Sequence, residues 1–305
     1  MTPMQDNQKS SNVCIFCGRQ GNLTGEHIIS QWIEKLLGKS TPSSRRTFRH
    51  IRAPRSDALL PAIPKVIEEK TRTGNVTATQ AYTVCGSKGR TKRPGTCNDG
   101  WMNDLEKAMR DLSTPLILGN ATNLNQNQQL TIARWLALKT MLIDSMFRDR
   151  DRSFVEASVR QNFYRTQDPP HGWRMWIGSL TGPKWRQGIR HCPRRVGARD
   201  TVIDQPSIDA VRHPHCCIPT AIGIGQLFLM AVSTKGDFLR DIQPPVAVFN
   251  YLAPIFPISP TPVHLPLTAM DDETADFVST SFSVSIRYAQ TSRTGLIPLM
   301  PLPFD

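Results

Sequence analysis

The stretch Cys14-Ile-Phe-Cys-Gly-Arg-Gln-Gly-Asn-Leu-Thr-Gly-Glu-His-Ile-Ile-Ser-Gln-Trp-Ile33 decides how the amino-terminal third is read. Two residues separate Cys14 from Cys17, a spacing that lets both thiolates reach one tetrahedral ion from a tight turn. One pair does not close such a site. Cys85 and Cys97 supply a second pair, with eleven residues between them. The segment from Gly86 to Gly95 is glycine-bounded and basic, so it reads as a loop inserted into an ordinary second knuckle. The competing reading is a buried cysteine cluster without metal.

Outward from this stretch, Ile28, Ile29, Trp32, Ile33, Leu36 and Leu37 recur at helical spacing, with Gly38 as the stop. Residues 39–60 carry Ser, Thr, Pro and many arginines and read as an irregular excursion. Strand-favouring segments around Val66–Glu69 and Asn75–Val84 flank Thr73-Gly74-Asn75, which predicts a hairpin. Trp101, Met102, Leu105, Met109 and Leu112 predict a helix that ends at Pro115. After the polar stretch Gly119–Gln129, Thr131–Arg148 predicts a helix packed through Ile132, Trp135, Leu136, Leu138, Met141, Leu142, Met146 and the stem of Lys139. A further helix is expected over Ser153–Phe163.

Past Asp168-Pro169-Pro170 the character changes. Trp173–Ile177, Ile222–Val232 and Val246–Leu252 are short apolar runs between glycines and prolines, and the last sixty residues are proline-rich, which favours extended segments and loops. The expected class is α+β. Residues 1–12 read as a disordered leader, 13–115 as a zinc-stapled module, 116–168 as a helical connector, and 169–305 as a β-rich or mixed domain with no derivable role.

A hydrophobic content of 39% suffices for a packed core. There is no uninterrupted apolar run long enough to span a membrane, and residues 1–12 lack the apolar core of a secretory signal. The expected compartment is therefore the cytoplasm, where seven clustered cysteines point to metal before disulfides. Lys and Arg outnumber Asp and Glu by 37 to 25, for a formal charge of +12, which favours a polyanionic partner.

Glu26-His27 follows Cys17 by nine residues, and Cys97 opens Cys-Asn-Asp-Gly-Trp-Met102. Cys-x-x-Cys, then Glu-His with apolar residues and a Trp, then Cys-Asn-x-Gly-Trp-Met with Leu-Glu behind it, resembles a bacterial and phage branch of the HNH endonucleases. These have the ββα-metal nuclease fold. The resemblance covers residues 13–112. It implies that His27 is the general base, that Glu26 and Asn98 bind a catalytic Mg²⁺ or Mn²⁺, and that Cys14, Cys17, Cys85 and Cys97 hold a structural zinc. Elementary chemistry agrees, because phosphodiester hydrolysis needs a base to deprotonate water and a cation to offset charge on phosphate. A carboxylate with an amide oxygen suits a hard cation. The family's middle asparagine has no counterpart in Ala81-Tyr-Thr-Val84, and the fifty-seven residues between His27 and Cys85 exceed a minimal hairpin. Asp99 reads as a first-turn carboxylate of the helix ahead of a second contact to the catalytic metal.

Two basic clusters belong to this module: Arg45, Arg46, Arg49, Arg52 and Arg55 in the excursion, and Lys88, Arg90, Lys92 and Arg93 in the loop between the later cysteines. Both are read as phosphate-contacting. A third, Lys184, Arg186, Arg190, Arg194, Arg195 and Arg199 near Trp173, Trp176 and Trp185, reads as a sheet edge ahead of a base-stacking surface. His213, His215, Cys216 and Cys217, with His191 and Cys192, invite a second metal. Adjacent cysteines serve one ion poorly, however, and Pro214 and Pro219 suggest a loop. The functional expectation is a metal-dependent endonuclease acting on DNA ahead of RNA, in phage defence or a mobile element. The alternatives are a non-catalytic zinc-ribbon nucleic-acid binder, or a nuclease subunit activated by a protein partner through the carboxy-terminal domain.

Overall fold

The computed structural model describes residues 13–38, 48–50, 80–87, 95–146, 155–191, 194–195, 216–235 and 250–279. The leader and the 66–75 hairpin expectation lie outside them. The architecture is α+β. Strand β1 (Leu23–His27) leads into helix α1 (Gln31–Leu36), and β2 (Phe48–His50) and β3 (Gln80–Cys85) precede α2 (Trp101–Ile117). Strand β4 (Thr122–Leu124), α3 (Gln126–Met146) and α4 (Ala157–Thr166) follow. The remainder is β5 (Arg174–Leu180), β6 (Ile189–His191), β7 (Arg194–Arg195), β8 (Cys216–Ile224), β9 (Leu227–Lys235), β10 (Leu252–Phe256), β11 (Val263–Leu265), β12 (Ala269–Met270) and a helix α5 over residues 272–279.

The large sheet runs β10-β5-β9-β8-β6-β2, with β12 beside β5 and β7 beside β8. Its centre is the β8–β9 hairpin, which turns at Gly225 with φ +58, a conformation that glycine adopts without cost. Successive β9 residues feed two different clusters. Leu227, Leu229 and Ala231 pack toward α3, while Phe228, Met230 and Val232 pack with Trp185, Ala275 and Val278. A sheet covered on both faces explains why Ile222–Val232 reads as a near-continuous apolar run.

Helix α3 is the hub. It starts five residues before the expected Thr131, because Asn125 and Gln128 exchange hydrogen bonds as a capping box. From Ile132 to Ser145 every residue except Arg134 is buried, so a single apolar stripe understates it: the helix lies between β3 on one side and β9 and β10 on the other. Core residues from Cys14 to Leu265 form one cluster around it, so the module, the connector and the sheet share a core.

Three local expectations are revised. Helix α2 continues through Pro115 to Ile117, because Leu116 and Ile117 are buried and hold the last turn in the core. Pro219 lies in β8 and not in a loop. It sits where β8 changes neighbour, Thr220 pairing with His191 and Cys217 with Arg194, a gap that suits a residue without an N–H. Residues 272–279 are helical in the proline-rich end, started by Asp271, whose carboxylate accepts the Thr274 N–H at 2.7 Å. No helix among the described residues is long and apolar enough to cross a membrane.

Candidate metal centre and the residues around it

The first cysteine pair sits in a tight turn. Cys14 N–H donates to the Arg19 carbonyl and Gly18 N–H to the Cys14 carbonyl, with Gly18 at φ +70. Cys85 ends β3, and Cys97 opens the turn before α2. Cys97 N–H points at the Cys85 sulfur at 3.3 Å, and Asn98 N–H donates to the Cys85 carbonyl at 3.0 Å. The four sulfurs lie within 4.8 Å of one another, with Cys14–Cys97 at 3.8 Å and Cys17–Cys85 at 3.5 Å. Sulfurs bound about 2.3 Å from one tetrahedral ion stand roughly 3.8 Å apart. A disulfide needs about 2.05 Å, so these are thiols in ligand geometry.

Electrostatics points the same way. The side-chain contact with Cys97 holds the Cys14 thiol down to about 4. The same contact and burial push Cys97 up, and burial pushes Cys85 up to about 11. Four thiols this close cannot all ionise without a cation, and a divalent ion reverses that by offsetting their mutual repulsion. Among the described residues no other group of three or more His, Cys, Asp or Glu could hold a metal.

The eleven-residue insertion closes at its base. Asp99 accepts Ser87 N–H and Ser87 Oγ–H at 2.7 Å and Thr96 Oγ–H at 2.8 Å, drawing the two ends of the loop together. Asp99 is thus a clasp in the turn before α2, which starts at Trp101, and not a first-turn carboxylate of that helix. Beside it, Asn98 Nδ2 donates to Thr24 Oγ1 at 3.0 Å, joining the turn before α2 to β1. A Cβ on Gly86 would stand 2.1 Å from Thr24 Oγ1 and 3.1 Å from Asn98 Cβ. Gly86→Ala is therefore expected to cost about 1–3 kcal/mol by overpacking, read as a lowered midpoint in thermal unfolding. An unchanged midpoint would mean that Thr24 rotates away freely.

Beyond the bulge between Thr24 and Glu26, β1 turns its chemistry toward α3. Lys139, fully buried, places Nζ 2.6 Å from Glu106 Oε1, 3.0 Å from Glu26 Oε1 and 2.6 Å from the His27 carbonyl oxygen. An ammonium has three donors, and each finds an acceptor here. Glu106 also accepts Ser30 Oγ–H at 2.5 Å, Trp32 Nε1–H at 3.1 Å and Trp135 Nε1–H at 2.9 Å. Burial pushes the Glu106 carboxyl up, but Lys139 and the donors outweigh it and hold it below the ordinary range. Burial likewise pushes Lys139 down, and Glu106 followed by Glu26 outweighs it and raises it.

No protein-family model, curated protein or solved structure matches this chain. Its function is therefore argued from its own residues. The half-buried His27 ends β1, with Nε2 3.2 Å from Gln31 Nε2. Glu26 is 8% exposed and meets Lys139, whereas Asn98 meets Thr24. Of the basic residues, Arg45, Arg46, Arg52, Arg55, Lys88, Arg90, Lys92 and Arg93 lie outside the described residues. Arg49 is in β2, paired in register with Arg190 at one edge of the large sheet. Arg190 itself is buried and ion-paired with Asp276 at 3.0 Å, and Trp173, Trp176 and Trp185 are buried, so those tryptophans serve packing. His191 is buried with Nδ1 2.9 Å from Thr220 Oγ1, and Cys216 and Cys217 are successive residues of β8, in register with Arg195 and Arg194. His213, His215 and Cys192 lie outside the described residues. Lys139 and Glu106 escaped nomination as site residues. Their signals were a lysine at the centre of an apolar helix and the glutamate of the Leu-Glu step.

Proposed function

We propose that the chain is a metal-dependent endonuclease of the HNH type, hydrolysing phosphodiester bonds in DNA, with a structural zinc on Cys14, Cys17, Cys85 and Cys97. The observation that carries this reading is the Asn98–Thr24 hydrogen bond. It ties the residue after the last cysteine to the strand bearing Glu26 and His27. Antiparallel β1 and β3 followed by α2 then make a ββα unit around the cysteines.

Within that unit His27 is the general base. As a neutral imidazole it accepts a proton from water while the water oxygen bonds to phosphorus. The P–O bond to the leaving sugar oxygen breaks, and that oxygen takes a proton from solvent. Glu26 and Asn98 are the oxygen donors for a Mg²⁺ or Mn²⁺ ion, which supplies charge neutralisation at the phosphate when bound. Their chemistry fits: Lys139 engages Glu26 Oε1, and Asn98 uses its nitrogen on Thr24, so Glu26 Oε2 and Asn98 Oδ1 have no hydrogen bond from the described residues. The formal charge of +12 favours the polyanionic substrate.

The test is cleavage of supercoiled plasmid, with a single-stranded RNA in parallel, in Mg²⁺ or Mn²⁺. Wild-type protein is expected to nick or linearise DNA, and His27→Ala to lose at least about 10²-fold in rate with its fold intact. Cleavage surviving in folded His27→Ala assigns the base elsewhere. Salt-sensitive binding without cleavage by either protein replaces this reading with a binding module.

A further inference from the structure

We infer that Lys139 is a positioning residue that sets the geometry of both Glu26 and His27. This rests on the nuclease reading above.

The observation is the third hydrogen bond of Lys139. Charge neutralisation explains why a buried ammonium sits beside Glu106 and Glu26, at 2.6 and 3.0 Å. It does not explain the bond to the His27 carbonyl oxygen at 2.6 Å. That carbonyl belongs to the last residue of β1, where the β1–β3 ladder ends at the His27–Gln80 pair and the chain leaves for α1. The last pair of a ladder is braced on one side only, so groups beyond the ladder help to set its orientation. Lys139 holds it through the main chain of His27 and, one residue earlier, through the side chain of Glu26. One rigid donor group therefore fixes the base and the metal-binding carboxylate relative to each other.

The anchor is stiff. Lys139 projects from the middle of a helix that is buried on nearly all sides, and its Nζ lies 5.4 Å from the Trp135 ring centroid. Glu106 braces it from α2 and collects Ser30 and Trp32 from the start of α1. The segment following His27 is thus gripped at its first carbonyl and at Ser30. Residues that orient a base or a ligand in this way typically change metal affinity or rate by about 10–100-fold when removed.

Lys139→Met alone leaves two carboxylates without their counter-charge, so the test is Lys139→Met in a Glu106→Gln background. The amide oxygen introduced by Glu106→Gln can still accept from Ser30 and Trp32, which share Oε2, while Trp135 loses its acceptor on Oε1. Four proteins are compared: wild type, Glu106→Gln, the double variant, and His27→Ala as the inert control. Each is checked for fold by circular dichroism and for zinc content. Mn²⁺ affinity is then measured by electron paramagnetic resonance without DNA, and plasmid cleavage is resolved into kcat and KM.

The double variant is expected to keep zinc and KM, to lose about 10–100-fold in kcat and to bind Mn²⁺ several-fold more weakly, with Glu106→Gln, which keeps the Lys139–His27 bond, losing less than the double variant. Wild-type kcat and Mn²⁺ affinity in a folded, zinc-loaded double variant overturn the inference and leave the nuclease reading standing. So does the full loss appearing already in Glu106→Gln. A wild-type protein that neither cuts DNA nor binds Mn²⁺ removes the nuclease reading, and the positioning role falls with it. If methionine at this position prevents folding, Lys139→Gln in the same background replaces it. Its shorter side chain leaves the His27 carbonyl out of reach, and the same losses are expected.

Discussion

Lys139→Met should destabilise the protein by about 3–5 kcal/mol, because removing one partner of a buried pair strands the charge of the others. Two carboxylates, Glu106 and Glu26, face Lys139 at 2.6 and 3.0 Å, and its side chain is fully buried. Denaturant unfolding followed by fluorescence reports on the site directly, since Trp32 and Trp135 donate to Glu106. Adding Glu106→Gln should recover part of the loss, because one of the stranded charges is then gone. An unfolding midpoint equal to wild type in Lys139→Met would mean that water reaches the cluster. The pH dependence carries a defined sign. Glu106 is held below 4.5, so its contribution is present above that pH and is lost as pH falls through the folded value. Lys139 is raised above 10.5, so its contribution is present below that pH and is lost as pH rises through the folded value. Between these limits the Glu106–Lys139 pair should make no pH-dependent contribution. In Lys139→Met the alkaline loss should vanish.

Zinc removal should have the largest effect of all. Phe16, Val84 and Met102 are buried around the four cysteines, where the turn carrying Phe16 and the two-stranded β1–β3 sheet have little hydrogen bonding of their own to hold them. Metal binding in small thiolate sites is worth on the order of 10 kcal/mol and is realised as folding free energy. Elemental analysis is expected to find one zinc per chain. Cys97→Ser should lose it and leave residues 13–38 and 80–112 unprotected in hydrogen exchange, while amides of the β8–β9 hairpin stay protected. Because the ligands are thiolates, acid competes with the metal, and zinc should dissociate as pH falls. Full protection of 13–38 in a zinc-free protein would favour the metal-free cysteine cluster.

The four-cysteine cluster was legible before any fold was known. Cys14 and Cys17 share a spacing that chemistry restricts to few uses, and the glycine-bounded insertion before Cys97 marks itself as a loop that closes at its base, as the Asp99 clasp with Ser87 and Thr96 does. Helical periodicity likewise placed α2 and α3, and the β-rich end was visible in its short apolar runs. Other features had no local signal. Pro115 reads as a helix end unless one knows that Leu116 and Ile117 have a core to enter. Pro219 reads as a loop unless the change of neighbouring strand beside it is seen.

Lys139 shows the division best. Its place in an apolar helix was plain, with only its stem counted in the packed face. The folded chain overrides that expectation by bringing Glu106 from α2 and Glu26 and the His27 carbonyl from β1 to one point. Side-chain identity and short spacings, both readable along the chain, specify which residues can ligate a metal, take a proton or pair with phosphate. Which of them meet depends on packing between elements more than a hundred residues apart, since a buried charge is tolerated only where distant partners arrive together.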